Sequence, residues 1–178
     1  MRGWSDYFFM VGSSALALIG LMFVVVTLTA GRDRHELEAG KKLYTTPIVW
    51  HLGVVVVLSA GAVAPILASN WTGIGVLLLG LLGMTYAFSI TVGIRRAQLA
   101  SNFSGYDAFW YGVAPGVIYA VIGLSGLAMF RQATFGPSAI AAAVMALLLV
   151  SIHNEWDLVT YLAPDAPGPG KGAGSETE

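Results

Sequence analysis

Long apolar runs without charged residues are the feature that most restricts how this chain can fold. Five candidate spans occur, at residues 8–30, 46–68, 72–94, 109–130 and 137–163. A helix needs about 20 apolar residues to cross roughly 30 Å of hydrocarbon, and within lipid only helices and closed barrels satisfy every backbone group. The runs therefore predict an all-α, polytopic membrane protein whose residues 1–163 form one bundle of five transmembrane helices.

The composition agrees with a membrane class. Hydrophobic residues make up 56% of the chain and charged residues 11%, whereas soluble domains carry about 25% charged residues. A net charge of −1 provides no field for nucleic acid, so the bilayer is the expected partner. The absence of cysteine excludes disulfides, thiolate metal ligands and a cysteine nucleophile.

The two ends of the chain raise separate questions. The first apolar run is too long for the core of a signal peptide and lacks a strongly basic leader, so we expect a retained span. The fully apolar part of the last run, residues 139–150, is short, which leaves open a four-span arrangement with a re-entrant last helix. Residues 164–178 begin with a proline and are rich in Pro, Gly and Ser, which predicts a disordered tail.

The distribution of Lys and Arg predicts the orientation. In the five-span topology Arg2 and Arg131 lie on one side of the membrane. The seven other basic residues lie on the opposite side: Arg32, Arg34, Lys41, Lys42, Arg95, Arg96 and Lys171. Because basic residues are enriched in cytoplasmic loops, we expect the N-terminus outside and the C-terminus in the cytoplasm.

Small residues recur at helical spacing within two spans. The fourth span carries Gly112, Gly116 and Ala120. The third carries two overlapping series: Gly73, Gly80 and Ala87, and Gly83, Ala87 and Thr91. Small residues allow close helix approach in lipid, so the stripe in the fourth span is predicted either to pack inside the bundle or to form an interface with a second copy or a partner.

Four ionisable residues lie at membrane depth, where such groups are costly and often functional. They are His51 in the second span and His153, Glu155 and Asp157 in the fifth. At about 100° per residue, His153 and Asp157 share a helix face, whereas Glu155 points nearly the opposite way. His51 and His153 lie at similar predicted depths, so the two imidazoles could face one another.

Three interpretations of these groups stay open. In the first, the fifth helix ends at the headgroup layer, where Glu155 and Asp157 form ion pairs with Arg95 and Arg96. In the second, His51 and His153 bind haem b axially, or bind a divalent metal together with Asp157. In the third, the two histidines and Asp157 couple proton or ion movement. No HExxH sequence, phosphate-binding Gly loop or Ser/His/Asp order favours hydrolytic chemistry.

Two segments resemble a known group of proteins. The opening SDYFFMVGSSALALIGLMFVVVTL and the segment Asn154-Glu155-Trp156 resemble small, poorly characterised bacterial inner-membrane proteins. Some of those proteins are labelled modulators of a membrane-anchored ATP-dependent protease. The resemblance implies a multi-pass protein of the bacterial plasma membrane without known enzymology, and it identifies no catalytic residue.

These observations favour a non-enzymatic integral membrane protein, an accessory or regulatory subunit that acts through helix–helix contacts. Its partner would be a second copy of the chain or a larger membrane complex, with Gly112, Gly116 and Ala120 as the predicted contact face. The alternatives are a haem- or metal-binding redox subunit that uses His51 and His153, and a small proton-coupled carrier or channel.

Overall fold

The computed structural model describes residues 3–28, 45–64, 70–100 and 105–162, which fold almost entirely into helices. These are α1 (Ser5–Leu28), α2 (Thr46–Val63), α3 (Asn70–Ala100), α4 (Gly105–Ala108), α5 (Ala114–Phe130) and α6 (Gly136–Leu162). A π-helical segment, π1 (Phe109–Val113), joins α4 to α5 without a break. The predicted tail and the loop after α1 lie outside the described residues.

Five helical spans within the described residues are long and apolar enough to cross a membrane. Four of them lie in α1, α2, α3 and α6, and the fifth runs from Tyr106 to Phe130 through α4, π1 and α5. The predicted all-helical class is confirmed, and the spans indicate a multi-pass membrane protein. The fully apolar part of the last run, residues 139–150, lies within a helix of 27 residues, which at 1.5 Å per residue is about 40 Å long.

Two helices end at places that differ from the predicted spans. α2 ends at Val63, and Ala64 is extended with φ −64° and ψ 127°. Residue 65 is proline, which disfavours helical geometry in the residue before it, so the helix ends earlier than the apolar run. α3 continues to Ala100, past Arg95 and Arg96, because arginine is a good helix former and its long side chain can reach water from a helix end.

The helices pack in a definite order around α6. α3 makes its most extensive contact with α5, α5 packs on α6, and α6 packs on α2; α1 lies against α2 and α6. In the most apolar 18-residue stretch of each helix, half of the residues are buried in α6 and 22% are buried in α1. α6 is therefore the central helix and α1 a peripheral one.

Facing glycines bring the backbones of α3 and α5 into direct contact. A Cβ atom built on Gly80 would lie 2.6 Å from the Cα of Gly123. A Cβ atom on Gly73 would lie 2.7 Å from the carbonyl oxygen of Gly126. Carbon atoms at van der Waals contact are about 3.5–4.0 Å apart, so any larger residue would force the helices apart. We call this contact the glycine seam.

The glycine seam continues toward the C-terminus of α3. Gly112 lies against Thr91, and a Cβ atom on Gly116 would lie 3.7 Å from the Cβ of Ala87. Gly112 and Gly116, two of the three residues of the predicted contact face, therefore face α3 inside the bundle. The third, Ala120, is partly buried.

Two specific contacts near the N-terminal end of the peripheral helix α1 add to its packing on α2. The Tyr7 hydroxyl donates a hydrogen bond of 2.8 Å to the carbonyl of Ala141 in α6. Further along α1, a Cβ atom on Gly12 would lie 2.8 Å from the Cβ of Ser59 in α2. One polar bond and one close glycine contact thus fix one end of α1 on the α2–α6 pair.

Candidate functional site

A buried histidine–tyrosine hydrogen bond connects α2 to α5. Nδ1 of His51 lies 2.8 Å from the hydroxyl oxygen of Tyr119, and both residues are fully buried. The Tyr119 ring occupies the space left by Gly83 of α3, where a side chain would overlap it. The glycine seam therefore makes room for the tyrosine that anchors His51.

The second ring nitrogen of His51 has no hydrogen-bond partner in the described part of the chain. Nε2 is buried, so one tautomer leaves an N–H unpaired and the other leaves a lone pair unpaired. An unsatisfied buried polar group costs about 1–3 kcal/mol. Tyr86 lies edge-on to the imidazole with ring centroids 6.3 Å apart, and Trp50 packs on Tyr86 at 5.2 Å.

The π-helical segment π1 precedes a proline. The N–H of Ala114 donates to the carbonyl of Phe109, five residues earlier. In the same register the next donor would pair with the carbonyl of Trp110, but that donor position is Pro115, which has no N–H. The π-helical register and the proline together therefore leave the Trp110 carbonyl in need of a donor from elsewhere.

Asn154 of α6 supplies that donor. Its side-chain Nδ2 donates a hydrogen bond of 3.1 Å to the Trp110 carbonyl. The Tyr111 hydroxyl donates in return to the backbone carbonyl of Asn154, at 3.0 Å. Asn154 is fully buried, and its Oδ1 has no hydrogen-bond partner among the described residues. These reciprocal bonds, which we call the asparagine lock, fasten π1 to α6. π-helical turns of this kind occur frequently at functional sites.

His153 packs against aromatic rings of the neighbouring segment. Its ring centroid lies 4.1 Å from that of Trp110 and 6.3 Å from that of Tyr106. Nε2 of His153 is buried, without a hydrogen-bond partner in the described ranges. This histidine thus extends the contact that the asparagine lock makes between α6 and the start of the fourth span.

The carboxylates near the end of α6 lie in different environments. Glu155 is 7% exposed, and the described residues offer its Oε2 no hydrogen-bond partner. Asp157 is partly buried and lies within electrostatic range of Asp107 at the start of the fourth span. Asp107 did not figure among the residues that the sequence singled out.

The predicted ion pairs are not formed between the described side chains. Arg95 and Arg96 are both exposed on α3. Neither makes a salt bridge with Glu155 or Asp157 in the part of the chain that the structure describes. The end of α6 is instead fastened to its neighbour by the asparagine lock.

The two imidazoles have different surroundings. His51 lies among Tyr86 and Tyr119, whereas His153 lies against Tyr106 and Trp110. Among the described residues, which include His51, His153 and Asp157, no three or more His, Asp or Glu side chains form a group that could hold a metal ion. Haem binding and proton coupling stay predictions.

Sequence reasoning missed the residues that hold these polar groups in place. Tyr119 and Tyr86 could have indicated a buried hydrogen-bonded site, because a tyrosine hydroxyl inside a span usually requires a hydrogen-bond partner. Pro115 marked the segment where a carbonyl loses its donor. Which residue would reach that carbonyl depends on the packing of α6, and no local pattern in the sequence indicates it.

Comparison with known proteins gives no match: no family model, no curated protein and no solved structure is significantly similar to this chain. The function therefore has to be inferred from the geometry of the chain itself.

The asparagine lock predicts a coupling between Asn154 and Pro115. Asn154→Leu should lower the free energy of unfolding by about 1–3 kcal/mol, because it leaves a buried carbonyl without a donor. In a Pro115→Ala background the loss should be smaller, since residue 115 then has its own N–H for that carbonyl. Titration of the purified protein with a denaturing detergent measures all four variants of this double-mutant cycle.

Ser151→Ala is the matched control, because among the described residues the Ser151 hydroxyl bonds the carbonyl of Leu147 in its own helix and no other group. Its cost should be small and the same in both backgrounds. An equal cost of Asn154→Leu with and without Pro115 would contradict the role given to the proline.

Proposed function

We propose that the protein is a non-enzymatic membrane subunit that acts through helix–helix contacts with a second copy or a larger complex. The observation that carries this proposal is a stripe of small residues on α1 that faces away from the bundle. Ser13, Ala17 and Gly20 are all exposed. Their spacing of four and three residues places them on one helix face.

The surroundings of this outward stripe leave room for another helix. A Cβ atom built on Gly20 would meet no atom within 4 Å. α1 is also the least buried of the described spanning helices, because only 22% of the residues in its most apolar 18-residue stretch are buried. Lipid gives helices little hydrophobic reason to associate, so faces of small residues that permit close approach are favoured contact sites.

The interior of the bundle supports the same use of small residues. Within the chain, Gly73 and Gly80 of α3 meet the glycines of α5 at backbone distance. Gly112 and Gly116, two residues of the stripe in the fourth span that the sequence offered as a contact face, also lie against α3. The outward stripe on α1 has the same type of composition, and none of the described helices lies against it at Gly20.

We propose further that the protein resides in the bacterial plasma membrane with its C-terminus in the cytoplasm. The bias of seven basic residues against two supports this orientation. The resemblance of α1 and of Asn154-Glu155-Trp156 to bacterial inner-membrane proteins supports the location and a modulator role.

A reporter fused after Arg96 should read as cytoplasmic, and a periplasmic reading would contradict the orientation.

Substitution of Gly20 tests the contact face. Gly20→Leu should reduce the apparent mass of the protein or of its complex after extraction in mild detergent, because the larger side chain prevents close approach. Native electrophoresis with light scattering gives the measurement. Circular dichroism should show unchanged helicity, since the added atoms lie in open space.

Gly75→Leu on α3 is the matched control. Gly75 is also exposed, with no atom within 4 Å of a built Cβ, but it lies outside the outward stripe. If wild type, Gly20→Leu and Gly75→Leu all run at the same apparent mass, the proposed contact face on α1 is wrong.

A further inference from the structure

An open groove lies between α2 and α3. It has a volume of about 600 Å³ and follows α2 from Thr45 to Val57, with Leu79 of α3 on its other side. It forms because α3 packs mainly on α5 and makes little contact with α2. Gly53 lies within the groove, and a Cβ atom built on it would meet no atom within 4 Å.

The lining of the groove is apolar except at one end. Thr45 and Thr46 provide hydroxyls where α2 begins, and the other lining side chains are hydrocarbon or aromatic. Trp50 is 40% exposed and Val57 is 60% exposed. The groove is therefore apolar over most of its length, and its polar end lies at the end of the bundle where α2 starts.

The dimensions of the groove decide between possible occupants. The 12 steps from Thr45 to Val57 correspond to about 18 Å along a helix. One leaflet contributes half of the roughly 30 Å hydrocarbon core, or about 15 Å. Over the same length of about 18 Å, a partner helix about 10 Å wide would occupy roughly 1,400 Å³, more than twice the volume of the groove. A single extended acyl chain matches both the length and the narrowness.

We propose that this groove binds one acyl chain of a phospholipid, with the headgroup beside the hydroxyls of Thr45 and Thr46. The bound acyl chain covers the exposed faces of Trp50 and Val57 and fills the open space at Gly53. Trp50 also packs on Tyr86, which lies edge-on to His51. The bound lipid thus completes the wall that separates the buried His51–Tyr119 bond from the bulk bilayer. This inference is independent of the contact face on α1.

Native mass spectrometry of the protein extracted in mild detergent tests the proposal. Wild type should retain about one phospholipid per chain. Gly53→Phe should lose most of it, because the added ring fills the groove. Gly93→Phe is the matched control: Gly93 also has no atom within 4 Å of a built Cβ but lies on α3 outside the groove. This control should retain the lipid.

The outcomes separate the occupants. Equal phospholipid retention by Gly53→Phe and Gly93→Phe overturns the proposal, and so does a retained free fatty acid or a second protein chain that is lost in Gly53→Phe. Circular dichroism of both variants establishes that each has folded.

Trp50 provides a second readout in vesicles of phosphatidylcholine with brominated acyl chains. Bromine quenches tryptophan only at close range, and the emission of Trp50 is obtained by subtracting that of Trp50→Phe. The proposal expects strong quenching of Trp50, reduced at least two-fold by Gly53→Phe and unchanged by Gly93→Phe. Equal quenching in all three proteins contradicts it.

Discussion

The backbone contact between α3 and α5 determines where the other parts of the bundle lie. Glycines on both helices allow a separation that no residue with a side chain would permit. The same close approach places the Tyr119 ring over Gly83 and its hydroxyl against His51. Through that bond the pair of helices is fixed to α2. Because α3 is held on α5, it makes little contact with α2 and leaves the groove that we assign to a lipid chain.

Two polar contacts in this bundle join neighbouring helices, where the hydrocarbon offers no water to take the partner's place. Pro115 removes one donor from its helix, and Asn154 supplies one from α6. His51 bonds Tyr119 through one nitrogen only. Glu155 is the contrasting case, since one carboxylate oxygen is buried without a partner among the described residues. The His51–Tyr119 bond and the asparagine lock each join two segments of the bundle, so hydrogen bonding and helix order depend on each other.

The number and type of the helices could be predicted because length and apolarity alone decide whether a segment can cross lipid. Pro65 explains why α2 ends at Val63. The predicted span extended to residue 68 because it was drawn from apolarity alone. Helical spacing indicated that Gly112 and Gly116 share a face, but spacing cannot say which helix lies opposite. Ion pairs of Arg95 and Arg96 were expected from depth alone, whereas the structure leaves both side chains exposed. The asparagine lock depends on the approach of two distant segments, so neighbouring residues give no sign of it.

A disulfide across the glycine seam measures its central contact most directly, and the chain contains no native cysteine to interfere. The Cβ of Ala87 lies 3.7 Å from a Cβ built on Gly116, close to the mean of about 3.8 Å in disulfides. In oxidised membranes the double variant Ala87→Cys/Gly116→Cys should form an intramolecular bond, seen as a mobility shift that reductant reverses. The pair Gly75→Cys/Gly116→Cys should not. Two free thiols in the first pair, in a folded protein, would contradict the packing of α3 on α5 and the account built on it.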